Sequence, residues 1–221
     1  MIFRGVLFDL DGVLLKSMEQ HLEAWQHAFR RFMATVKKEE FYLLEGRGVK
    51  SVVETLVKKY QIDPNLKQEI MDEKIAYYNK IFKPVFYDGL YELLDKLKNK
   101  TIPMAVVTGG QRPRVTEIVQ NYFGGYFSAT ITSDDVSLTK PYPEPYLKGA
   151  AALHLQPGDC VVIENAPMGI KSGKAAGMHV IAITTTLNRK YLTEADHVVN
   201  SFAEVDTYLH ADPRPPAVQG D

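Results

Sequence analysis

Residues 5–14 read Gly-Val-Leu-Phe-Asp-Leu-Asp-Gly-Val-Leu, an apolar run that stops at two carboxylates and a glycine. The same pattern returns along the chain. Met104-Ala105-Val106-Val107 stops at Thr108-Gly109-Gly110, Ala129-Thr130-Ile131-Thr132 at Ser133-Asp134-Asp135, and Val161-Val162-Ile163 at Glu164-Asn165. His179 to Ile183 stops at Thr184, and a short Val198-Val199 follows. Runs rich in branched residues, without alternation, read as strands buried on both faces. Helical spacing separates them, over Gly89 to Lys98, Arg114 to Tyr122, Tyr142 to Leu153 and Gly169 to Ala176. Strand–helix alternation predicts an α/β fold, a Rossmann-like parallel sheet with helices on both faces.

Residues 16–84 break the alternation. Glu19 to Phe32, Lys50 to Tyr60 and Leu66 to Phe82 carry helical periodicity, and no convincing strand lies between them. The segment is predicted to be an inserted α-helical cap domain. Residues 1–15 and 85–210 then make the core domain. Residues 211–221 hold three prolines and little that is apolar, as expected of a loose tail.

The chain has 221 residues, 45% hydrophobic and 24% charged, and its formal net charge is -1. That balance gives no basic bias towards nucleic acid or a membrane surface. The short basic clusters Lys37-Lys38, Lys58-Lys59 and Lys96 to Lys100 read as solvated helix faces or loops. Cys160 is the single cysteine, so no intrachain disulfide forms, and its apolar surroundings predict a buried, inert thiol. No run reaches the roughly 18 apolar residues of a membrane span. These features predict a cytoplasmic protein. No partner-binding segment stands out, and a monomer is expected.

Ligands of an open parallel sheet bind beyond the carboxyl ends of the strands. The polar residues predicted there are Asp9, Asp11, Thr108, Glu164 and Asn165, with Lys140 in a nearby loop. Hard oxygen donors suit magnesium, and a hydroxyl with a lysine suits a phosphoryl group. Histidine and cysteine are too few there for a zinc site. Taken singly, Asp11-Gly12 is a common turn, Glu164-Asn165 a plausible helix cap, and Lys140 an ordinary solvated lysine.

Together, in this order, the motifs resemble those of the haloacid dehalogenase superfamily. Phe8-Asp9-Leu10-Asp11-Gly12-Val13-Leu14 is similar to its first motif and Val106-Val107-Thr108-Gly109 to its second. Lys140-Pro141-Tyr142-Pro143-Glu144-Pro145-Tyr146 resembles the third, and Glu164-Asn165-Ala166-Pro167-Met168-Gly169 the fourth. The resemblance covers residues 2 to 200. It implies a magnesium-dependent phosphatase in which Asp9 attacks phosphorus and Asp11 moves the proton. Thr108, with Leu10, Gly109 and Gly110 beside it, would hold the phosphoryl oxygens. Lys140 would offset the crowded negative charge. Magnesium would sit among Asp9, the Asp11 carbonyl, Glu164 and Asn165. Asp11 favours phosphate-ester cleavage over dehalogenation, whose mechanism needs no acid at that position. Asn165 is a departure, since much of the superfamily has a second carboxylate there. Lys16 is another, where relatives often have an acid.

The resemblance implies a small phosphorylated metabolite or pyrophosphate as substrate, and leaves beta-phosphoglucomutase open as an alternative. His21 and Trp25, on one helix face, resemble the start of a mutase cap, where His21 would touch Asp11 or a sugar hydroxyl. The alternative for both is packing under the lid. In Leu44-Glu45-Gly46-Arg47-Gly48, two glycines would let backbone approach a ligand. Mutases carry an arginine for the second phosphate where this chain has Val49, and Arg47 and Lys50 stand nearby without being equivalent. Glu45 is either an exposed glutamate or a carboxylate that reaches the magnesium when the lid closes, which would favour pyrophosphate.

Overall fold

A computed structural model describes residues 3–210. The tail expected over residues 211–221 lies outside the described residues. Six strands form one parallel sheet: β1 (Gly5–Phe8), β2 (Met104–Val107), β3 (Ala129–Ile131), β4 (Cys160–Glu164), β5 (His179–Ile183) and β6 (His197–Val199). Their order across the sheet is β3-β2-β1-β4-β5-β6. The order reverses at β1, which pairs with β2 on one side and β4 on the other. A crevice therefore opens beyond the carboxyl ends of these three strands, and the chain places Asp9, Thr108 and Asn165 there.

Side chains that alternate along each strand divide between two apolar layers. Leu7, Ala105, Val107, Val162 and Val180 pack with α7 (Glu144–Ala152) and α8 (Pro167–Ala175). Val6, Phe8, Val106, Ile163 and Ile181 pack with α5 (Leu90–Asn99), α6 (Arg112–Tyr122) and α9 (Phe202–His210). The continuous apolar reading of the strands is thus explained by cover on both faces.

Between β1 and α5 lie four helices: α1 (Met18–Phe29), α2 (Lys38–Tyr42), α3 (Val49–Lys59) and α4 (Lys67–Ile81). Trp25, Phe29 and Phe41 fill their interior, with α1 packed along α4. The chain enters and leaves the insertion side by side. Lys16 N donates to the Val85 carbonyl at 2.8 Å, and Gln20 bonds both backbone groups of Lys83.

Helix boundaries shift where proline and length intervene. The segment expected as a helix from Tyr142 begins at Glu144, because Pro143 and Pro145 fit only the entry and first turn. Helix α6 begins two residues earlier than expected, with Pro113 in its first turn. The helix expected over Glu19 to Phe32 ends at Phe29, and a tighter turn covers Arg30–Phe32. Helix α2 is too short for periodicity to show, and α9 lies beyond the last pattern read from sequence. The three basic clusters do stand at the surface: Lys38 pairs with Glu19, Lys59 with Glu40 and Lys96 with Asp206.

Helix α7 crosses the sheet at Gly149. A β-carbon there would lie 2.4 Å from Leu7 Cδ2 and 2.8 Å from Val107 Cγ2. Gly149→Ala should therefore force side chains apart in a closely packed layer and cost about 1–3 kcal/mol of stability. Urea unfolding measures it. A midpoint equal to the parent's would contradict the close approach.

Candidate active site

Lys140 sits at the centre. It is 1% exposed, against the solvated lysine that its place beside prolines suggests in sequence. Its ammonium reaches Asp9 Oδ1 at 2.6 Å, Glu164 Oε1 at 2.7 Å and the Val107 carbonyl at 3.0 Å, which uses all three N–H donors. The loop bearing it is tied down on both sides. Glu144 accepts from the backbone N–H groups of Ser137 and Leu138, and Ser172 Oγ donates to the Tyr142 carbonyl. Burial pushes the Asp9 carboxyl up to about 7; Lys140 opposes that rise, and Glu164 and Asp11 add to it.

Glu164 is saturated. Oε1 accepts from Lys140 and from the Tyr146 hydroxyl at 2.8 Å, while Oε2 accepts from the Asn165 and Ala166 backbone N–H groups. Gly169 makes room for this carboxylate, since a β-carbon there would lie 1.6 Å from Oε1. Asn165 is fully buried, and its amide nitrogen donates to Glu45 Oε2 at 3.1 Å and to Thr186 Oγ1 at 3.0 Å. Its Oδ1 is buried without a hydrogen-bond partner.

Asp11 has a different set of neighbours. Ser17 Oγ donates to Oδ1 at 2.5 Å, and His21 Nε2 lies 3.1 Å from the same oxygen. Arg114 spans both oxygens, with Nη2 at 2.5 Å from Oδ1 and Nη1 at 2.8 Å from Oδ2. Burial opposes ionisation here, but Arg114 and His21 outweigh it and hold Asp11 well below the usual carboxylate range. Lys74 Nζ lies 3.0 Å from His21 Nδ1, so the imidazole links a buried ammonium to Asp11. Burial, then Lys74, push His21 down to about 3, and burial with Arg114 pushes Lys74 down to about 7. At neutral pH His21 is therefore uncharged, accepting from Lys74 and donating to Asp11.

The insertion closes over this floor. Glu45 is 6% exposed, which rules out the exposed glutamate expected by default. Burial and the Asp9, Asp11 and Glu164 charges raise it well above an ordinary carboxyl. Gly46 and Gly48 both have positive φ, and a β-carbon on Gly109 would lie 2.7 Å from the Gly46 carbonyl. The glycines thus let cap backbone touch core backbone. Thr108 Oγ1 accepts from Gly110 N at 3.0 Å. A cavity of about 750 Å³ lies beneath, lined by Asp9, Asp11, Thr108, Gly109, Gly110 and Glu45, with His21, Trp25, Lys74 and Arg114 from its sides.

Several residues singled out in the sequence stand elsewhere. Leu10 is fully buried in the apolar layer and does not line the cavity. Arg47 and Lys50 do not line it either: Arg47 contributes its carbonyl, which accepts from Thr139 Oγ1 at 3.0 Å, and Lys50 is exposed. Trp25 is 1% exposed and packs against Phe29 and Phe41, so packing dominates its role. Arg114, Lys74 and Tyr78 were missed. Each left a signal. Arg114 is a cation in a helix first turn, where the dipole disfavours it unless an anion waits nearby. Lys74 falls at helical spacing between buried Ile70 and Tyr78.

Whether a metal fits can be judged from the donors. Among the described residues no three His, Cys, Asp or Glu side chains converge as a metal cluster. The set is instead mixed, and its members want a cation: Asn165 Oδ1 is buried without a partner, and burial, with the neighbouring acids adding to it, raises Asp9 and Glu45. Hard oxygens from Asp9, Asn165 and Glu45 fit magnesium. Glu164, already saturated, fits a supporting role.

The sequence profile described as haloacid dehalogenase-like hydrolase matches residues 6–183, and the chain belongs to that family. Validoxylamine A 7'-phosphate phosphatase of Streptomyces hygroscopicus subsp. limoneus is 34% identical over 208 residues, covering 92% of this chain and 96% of the relative. Hexitol phosphatase A of Escherichia coli is 30% identical over 204 residues, covering 91% and 93%. A solved structure described as a candidate beta-phosphoglucomutase, from Bacteroides vulgatus, is 33% identical, superposes with a TM-score of 0.83, and covers 93% and 86%. The fold is the family's, and the chain is a phosphohydrolase.

The buried lysine yields a direct test. Lys140→Ala would leave Asp9 and Glu164 facing one another without their cation. Removing one partner of a buried ion pair costs about 3–5 kcal/mol. Urea unfolding of the variant should show a loss of that size, and a loss below about 1 kcal/mol would contradict the arrangement.

Proposed function

We propose that this chain is a magnesium-dependent phosphatase of sugar phosphates or similar small phosphorylated metabolites, working through an aspartyl phosphate on Asp9. One observation carries the reading. Two carboxylates two residues apart face one cavity with opposite partners, Asp9 against Lys140 and Asp11 against His21, Ser17 and Arg114. That division suits a nucleophile beside an acid and base.

In the first step Asp9 Oδ attacks phosphorus, the bond to the leaving oxygen breaks, and Asp11 gives that oxygen a proton. In the second, Asp11 takes a proton from water, whose oxygen attacks phosphorus and frees Asp9. Phosphate leaves and the Asp11 proton is restored. Held well below the usual carboxylate range, Asp11 is suited to the base's role at the start of the second step. Thr108 and the Gly109 amide would hold the phosphoryl oxygens, and Lys140 would offset their charge. Magnesium bound by Asp9, the Asp11 carbonyl, Asn165 and Glu45 would neutralise part of the charge between carboxylate and phosphate. A cytoplasmic, monomeric enzyme belongs to the same proposal; no described helix is long and apolar enough to cross a membrane.

The cavity favours an organic substrate. Val52, Ile75, Phe82 and Ile118 line it alongside the polar groups, more apolar wall than an inorganic anion uses. Its size and the named phosphatases among its relatives point to a sugar or hexitol phosphate. Pyrophosphate is the second reading, favoured by buried Glu45 bonded to Asn165. The mutase is disfavoured by Val49, which stands where mutases carry an arginine.

Phosphate release with magnesium, compared across hexose, hexitol and cyclitol phosphates, phosphoglycolate and pyrophosphate, is the test. A sugar or hexitol phosphate should be hydrolysed fastest. Asp9→Asn and chelation should each lower the rate at least about 1,000-fold. Fastest release from pyrophosphate, lost in Glu45→Gln, would establish the second reading instead.

A further inference from the structure

Asp11 does not present its two oxygens equally. Oδ1 carries three contacts, from Ser17 at 2.5 Å, His21 at 3.1 Å and Arg114 Nη2 at 2.5 Å. Oδ2 carries one, from Arg114 Nη1 at 2.8 Å. A carboxylate oxygen accepts about two hydrogen bonds, so Oδ1 is used up and Oδ2 has capacity to spare. Oδ2 is the oxygen left to meet a substrate, and Arg114 is the group that fixes where it points.

Arg114 is itself held from the cap. It projects from the first turn of α6, just after the Thr108-Gly109-Gly110 turn, and its Nη2 donates to the Tyr78 hydroxyl at 2.8 Å. The guanidinium lies over the Tyr78 ring, 4.9 Å from its centroid. Tyr78 belongs to α4 and stacks on His21, with ring centroids 4.0 Å apart and planes within 5°. One arginine of the core thus ties a cap helix to the orientation of a core carboxylate. A lysine would supply the charge but not the planar fork.

We infer that Arg114 is a positioning residue for Asp11: through Tyr78 it couples closure of the cap to the aim of Asp11 Oδ2 at the leaving oxygen. This rests on the reading of Asp11 as acid and base. Misplacing a reacting group by about 1 Å costs up to about 100-fold. The loss should fall on the step that needs the proton.

The experiment compares kcat/KM for two substrates: the sugar phosphate that the parent hydrolyses fastest, and p-nitrophenyl phosphate. The aryl oxide departs without an acid, whereas the sugar alkoxide needs one. Because kcat/KM reports events up to departure of the leaving group, the second proton transfer drops out of the comparison. Arg114→Ala should lower the ratio of the two values about 10- to 100-fold, the direction that Asp11→Asn sets as reference. Arg114→Lys should show a similar fall, Tyr78→Phe a smaller one, and added guanidinium should restore part of the ratio in Arg114→Ala. Melting temperature in magnesium checks the fold, and if Arg114→Ala does not fold, Arg114→Lys is read in its place. A changed ratio in Asp11→Asn with an unchanged one in the arginine variant overturns the inference alone. An unchanged ratio in both overturns the reading of Asp11 and the inference with it.

Discussion

A single ammonium holds the centre of this protein. Lys140 Nζ binds Asp9, Glu164 and the end of β2 at once, deep in a site where an uncompensated charge would be costly. Without it, β1 and β4 would end in two facing carboxylates. With it, the three central strands are tied together at their carboxyl ends, and the loop after β3 is drawn over them. The rest follows from where that loop must go. Glu144 and Ser172 fasten it, a β-carbon on Gly46 would lie 3.0 Å from the Lys140 side chain, and Gly169 leaves space for Glu164.

Around that centre the acids are sorted by their neighbours. Asp9 meets one cation it must share with Glu164, and burial keeps its carboxyl high. Asp11, two residues on, meets a guanidinium fork and a hydroxyl, and is held low. The turn just after them is closed by Gly12 at φ +88°, where a side chain would also collide with Asn165. Two like groups so close in sequence thus take different protonation preferences from tertiary contacts alone. The apolar part of the cavity then offers room for an organic leaving group.

The strands were legible in the sequence because a doubly covered sheet needs unbroken apolar runs, and all six appear at or within a residue or two of where those runs stand. The strand-end residues Asp9, Asp11, Thr108, Glu164 and Asn165 were legible for the same reason: the end of a parallel strand is where polarity returns. Side-chain burial was not. Lys140 beside prolines and Glu45 at the start of a glycine-flanked turn look solvated, and both are buried by contacts 24 to 131 residues away in sequence. Arg47 and Lys50 carry the charge expected of a phosphate contact, but helix α3 begins at Val49 and turns Val49 and Val52 to the cavity instead. Lys74 and Tyr78 join the site because α4 lies across the mouth of the sheet, and Arg114 because the first turn of α6 follows the end of β2; local patterns mark Arg114 and Lys74 as unusual but do not report what they meet.

The central claim is that Asp9 carries the phosphoryl group. Rapid acid quenching during turnover of the best substrate, followed by peptide mass spectrometry, measures this directly. The account predicts one added phosphoryl group on the peptide containing Asp9, absent in Asp9→Asn and without magnesium. A phosphoryl group on another residue, such as His21, or steady turnover by Asp9→Asn, would contradict it.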